Sequence, residues 1–68
     1  MNKVSFYIQV YKSGWCRIVA RDCRTVIRNL SDGACITSMD VLTGEMKRIT
    51  AAAKEMNFSA AFEVVEMD

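Results

Sequence analysis

Residues 3 to 11 alternate without a break: Val4, Phe6, Ile8 and Val10 fall on one parity, and Ser5, Tyr7, Gln9 and Tyr11 on the other. A period of two is the pattern of a strand with one buried face and one face turned to water. The chain therefore builds a sheet with at least one apolar face, and the remaining elements have to cover it. The side-chain bias agrees: Val and Ile number 12 against two Leu, and β-branched residues favour pleated strands over an all-helical bundle.

Lys12-Ser13-Gly14 reads as a three-residue turn ending in the residue that takes positive φ without strain. Trp15 to Ala20 is again aromatic and β-branched, so a hairpin is expected. The same stretch also carries a helical period, because Arg17, Arg21, Arg24 and Arg28 recur opposite Ile18, Val19, Cys23, Val26, Ile27 and Leu30. Strand is preferred up to residue 21. Helix is expected from about Asp22, which can cap it, to the stop at Ser31-Asp32-Gly33.

Ala34 to Leu42 reads as a third strand with Cys35, Met39 and Val41 on one face, although Ile36 breaks the alternation. Met46, Ile49, Ala53 and Met56 then recur at helical spacing through an Ala-rich centre. A second helix is expected from about Glu45 to Asn57, with Thr43 as cap and Glu45 at the positive end of the dipole. Phe62 to Met67 closes the chain as a strand. The expected fold is thus a small single α+β domain over residues 1–68. Its sheet is mainly antiparallel, with four strands, or five if Thr43-Gly44 turns a hairpin, and two helices cover one face.

A domain of 68 residues hides only about 60% of its chain's surface, which leaves little room for a deep cleft. Catalytic constellations are also missing from the sequence. There is no His, which removes the commonest general base, and no glycine-rich phosphate loop is present. Glu63 and Glu66 differ in parity and should point to opposite faces of a strand. No metal is expected, because Asp22, Asp32 and Asp40 are too dispersed for a hard-cation loop. The expectation is a non-enzyme without cofactors.

Apolar runs such as Ile18–Ala20 and Ala51–Ala53 fall far short of the roughly 20 residues that span a bilayer. The N-terminus lacks the layout of a signal peptide, so no membrane partner and a cytoplasmic location are expected. Cys16, Cys23 and Cys35 fit neither paired bridges nor zinc spacing, and read as reduced, partly buried thiols. A thiol sensor would need a depressed thiol pKa near the arginines.

Charge is uneven along the chain. Residues 1–34 hold six basic side chains against Asp22 and Asp32, whereas residues 35–68 hold three against six acids. Four of the five arginines fall between positions 17 and 28, and guanidinium suits bidentate contact with carboxylate or phosphate. Tyr, Trp and Arg are also the side chains most often found as interface hot spots. Tyr7, Tyr11, Lys12, Trp15, Arg17, Arg21, Arg24 and Arg28 are therefore the candidate contact residues.

The reading is a binding or regulatory protein, inhibitor or adaptor in type, that docks on an acidic protein surface. A small inhibitor of a nucleic-acid-handling machine, of the kind phages encode, is one such protein. Two other readings stand beside it. One is a nucleic-acid module using the Arg stripe with Tyr and Trp stacking. The other is a small homodimer joined through the last strand, if that strand lies at a sheet edge. Against the first two, arginines opposite an apolar stripe are what any surface helix carries, and a net charge of +1 is modest for a nucleic-acid binder; against the third, Glu63 and Glu66 are equally read as guards against such pairing.

Overall fold

The computed structural model describes residues 2–22 and 24–67 and has the order β1 (Asn2–Tyr11), β2 (Cys16–Ala20), α1 (Thr25–Arg28), α2 (Met39–Glu55) and β3 (Phe58–Met67). The class is α+β. The sheet has three strands in the order β2-β1-β3, with β2 antiparallel and β3 parallel to the central β1. Four or five mainly antiparallel strands were expected, so both the strand count and the antiparallel bias are corrected.

The alternation of β1 sets the layers. Val4, Phe6 and Ile8 are buried together with Ile18, Ile27, Ile36, Ile49 and Ala53, while Ser5, Tyr7, Gln9 and Tyr11 lie on the other face. The turn 12–14 forms as expected: Tyr11 N–H donates to the Trp15 carbonyl at 2.9 Å, and Gly14 N–H to the Tyr11 carbonyl at 3.0 Å. Gly14 sits at φ +97° with open space around its Cα. An added methyl group meets no neighbour there, so its cost is backbone strain alone, about 1–2 kcal/mol. Gly14→Ala is expected to lower the melting temperature by roughly 5–15 °C, as read by thermal circular dichroism.

The third expected strand is not formed. Residues 34–38 run as a loop that touches the sheet through one bridge, Cys16 to Ile36. Ile36 is buried and Cys35 exposed, so the residue that broke the alternation is the one that anchors the segment. Met39 and Val41 already belong to α2, which starts six residues before the expected Glu45 and carries Thr43 and Gly44 inside it. Gly within a helix costs about 1 kcal/mol. That is less than the gain from setting Leu42, Met46, Ile49 and Ala53 on one stripe against the sheet.

The first helix is one turn long, not the two or more expected from Asp22 onward. Its role is to deliver Ile27, which is fully buried, to the core. Asp22 does not cap the helix: Arg24 holds the cap position without a side-chain cap bond, and Asp22 instead accepts the Arg24 N–H at 2.8 Å ahead of it. After α2, Asn57 takes φ +64°, a conformation Asn tolerates better than most residues, and the chain reverses into β3. A parallel neighbour for β1 requires a long crossover, and α2 supplies most of it.

Candidate functional site

Three-residue loop geometry places Trp15 beside Tyr11, Arg17 beside Gln9 and Val19 beside Tyr7 across the β1–β2 pair. These side chains share the sheet face opposite α1 and α2. Tyr11 and Trp15 stack with ring centroids 4.0 Å apart and planes 11° from parallel. The Arg17 guanidinium lies 5.8 Å from the centre of the Tyr11 ring on which it rides, a cation–π distance. Its Nε donates to Gln9 Oε1 at 2.7 Å, and the Tyr11 hydroxyl donates more weakly to the same oxygen at 3.4 Å. Gln9 therefore fixes the direction of the guanidinium, leaving its terminal nitrogens to point elsewhere.

Tyr7 continues this face toward the middle of the sheet, between Val19 and Glu63. Lys12 is exposed at the turn. The face therefore runs from a cationic side at β2, with Arg17, to an acidic side at β3, with Glu63. Glu66 pairs in register with Val10 and Glu63 with Tyr7, which places the two carboxylates on opposite faces.

The other three arginines lie elsewhere. The helical stripe that would have joined them is absent, since Arg17 is in a strand and Arg24 precedes a single helical turn. Arg21 follows β2, where its N–H donates to the Ser5 carbonyl at 3.0 Å. Arg24 binds both Asp22 oxygens, with contacts of 2.7–3.0 Å, and its guanidinium lies 5.0 Å from the Phe58 ring centre. Hydrogen bonds from Arg24 hold the Asp22 carboxyl below its ordinary pKa. Phe58 pairs with Asn2 and Met67 with Tyr11, so Arg24 and the Tyr11 stack lie at opposite ends of the strands, roughly 30 Å apart along a ten-residue rise. Arg28 is exposed on α1.

Sequence reasoning missed two neighbours of the stack. Gln9 was legible once the loop length was fixed, because Tyr11 opposite Trp15 implies Gln9 opposite Arg17. The strand expected over 34–42 sets Met39 on one face with Cys35 and Val41, yet Met39 opens α2, is 74% exposed and borders, with Trp15, Leu42 and Ile36, a hollow of about 250 Å³. Its exposure follows from its place in the first turn of α2, which the strand reading of 34–42 concealed.

The Cys16 thiol does not favour a sensor. Burial pushes the Cys16 thiol above its ordinary pKa, and the neighbouring Cys35 adds to the rise, the reverse of what a reactive thiolate needs. Cys35 is exposed, and Cys23 lies outside the described residues. Iodoacetamide at neutral pH is expected to label Cys35 several-fold faster than Cys16, as read by peptide mass, and the opposite order would contradict this geometry.

Among the described residues no group of three His, Cys, Asp or Glu side chains is placed to hold a metal ion, and no helix is long and apolar enough to cross a membrane. Comparison with protein-family models, curated proteins and solved structures finds no match to this chain.

Proposed function

We propose that this chain is a non-enzymatic binding protein, inhibitor or adaptor in type, that docks on an acidic protein surface through Tyr7, Tyr11, Lys12, Trp15 and Arg17. The observation that carries the reading is the Tyr11–Trp15–Arg17 stack on a sheet face that neither helix covers. Aromatic and guanidinium groups bury much area with a polar tip to orient it. Side chains already held in place lose less freedom on association, so the stack and the Gln9 hydrogen bond lower the cost of binding. Arg17 and Lys12 supply the sign that selects acidic partners and speeds their encounter.

Nucleic acid is the second reading, favoured by the same aromatics on a sheet surface. Tyr11 and Trp15 each spend one ring face on the other, however, which leaves fewer platforms for bases. Fluorescence anisotropy against single-stranded DNA, duplex DNA and RNA separates the two. At roughly 50 mM salt no binding is expected. Binding that falls steeply between about 50 and 200 mM, the mark of counterion release, would overturn the protein-docking reading in favour of nucleic acid.

A further inference from the structure

The sheet has two outer edges, and the described residues cover only one of them. Along β2, Cys16 and Ile36 exchange backbone hydrogen bonds of 2.9 and 2.8 Å, and Ser31 Oγ donates to the Ile18 carbonyl at 2.6 Å. Along β3, the outward backbone groups have no hydrogen-bond partner among the described residues. Natural sheets blunt such edges with Pro, charged side chains, bulges or short strands. β3 is ten residues long, keeps one register with β1 from Phe58 to Met67 and contains neither Pro nor Lys, so its charges are Glu63 and Glu66 alone.

Beside this edge, α2 and β3 border an apolar groove of about 550 Å³, with Met46, Thr50, Ala60 and Phe62 in its walls and Lys47 and Lys54 at its rim. Val64 shares the helix-side parity of Ala60 and Phe62. It lies past the cover of α2 and is 65% exposed.

We infer that a second copy of this chain occupies the edge, the two β3 strands pairing antiparallel about a two-fold axis at Phe62. A two-fold contact is self-complementary, and antiparallel partners directly opposite share a face, so residues of like parity meet. Centred on Phe62, the pairing sets Val64 opposite Ala60 of the partner subunit, beside that subunit's groove. It sets Glu63 opposite Ala61 of the partner subunit and Glu66 opposite Phe58 of the partner subunit, at the end of the groove where Lys54 supplies the opposite charge. Centring on Glu63 gives equal overlap but places Glu63 against its own copy, and like charges directly opposed are destabilising. The Phe62 register thus avoids direct opposition of the two Glu63 side chains, which become diagonal neighbours instead. This contact uses the strand edge and leaves the Tyr11–Trp15 stack uncovered, so its failure and that of the docking reading are distinguishable.

Sedimentation velocity over roughly 5–500 µM, the range in which modest interfaces populate, tests the pairing. The wild-type chain is expected to move from 7.7 kDa toward twice that mass with rising concentration. Val64→Lys alters an exposed side chain and is expected to keep the fold by circular dichroism while remaining a monomer throughout. Glu66→Lys and Lys54→Glu are each expected to weaken the dimer about 3- to 10-fold, and the double reversal to restore it. A wild-type chain that stays monomeric, a dimer indifferent to Val64→Lys, or charge reversals that do not rescue each other would overturn the pairing.

Discussion

Phe6→Ala is expected to leave most of the chains unfolded at 25 °C. Phe6 is fully buried in the middle strand, and its ring stacks on Phe62 of β3 with centroids 5.6 Å apart. Truncating a buried Phe costs about 3–5 kcal/mol, part lost transfer energy and part the cavity left behind. A domain of this length holds roughly 3–10 kcal/mol in total, and its limited burial places it low in that range. The loss is therefore comparable to the whole stability. Far-ultraviolet circular dichroism and urea titration give the readout. Phe6→Leu, which keeps most of the volume, is expected to stay folded with a lower midpoint. A Phe6→Ala chain that melts within a few degrees of wild type would show that the β1 face is not the centre of the core.

The elements that sequence pattern revealed are those whose signal is local. The alternation of residues 3–11 gave β1 and its two faces, and Gly14 with its flanking apolar runs gave the hairpin and, through loop length, the register that joins Gln9 to Arg17. What pattern concealed was decided by tertiary contact. Thr43-Gly44 has the composition of a turn, yet the stripe from Leu42 to Ala53 carries a helix across it because that stripe covers the sheet. Arg17 to Arg28 have helical spacing, yet hairpin pairing claims the first part of the segment and leaves one helical turn at Thr25–Arg28. Nothing local marks β3 as the parallel neighbour of β1, since strand order depends on where α2 returns the chain. The candidate site divides the same way: Tyr7, Tyr11, Trp15 and Arg17 follow from strand parity and come together, whereas Arg24 and Arg28 depended on a longer helix, of which only the turn Thr25–Arg28 forms.

That division makes the arginines separable by experiment. Arg17→Glu is expected to reduce capture of the partner at least about 30-fold, the equivalent of a hot-spot loss of roughly 2 kcal/mol, while the chain stays folded. Arg17 is half-buried in a hairpin strand and meets Tyr11 and Gln9 at the surface, so its reversal removes a cation from the stack and sets a carboxylate toward an acidic partner. Tyr11→Ala removes the platform under both Trp15 and Arg17 and is expected to act in the same direction, with about 0.5–1.5 kcal/mol of stability lost from the aromatic pair. Arg24→Glu is the contrast. Its partner is Asp22 and its ring contact is Phe58, at the far end of the sheet, so it is expected to leave capture unchanged. The readout is retention of a partner from a nuclease-treated extract on immobilised wild-type and variant chains, each first shown to be folded. Equal retention by Arg17→Glu, Tyr11→Ala and wild type would place the contact surface elsewhere. Loss on Arg24→Glu with Arg17→Glu unaffected would move it to the opposite end of the molecule, where Arg24, Asp22 and Phe58 meet.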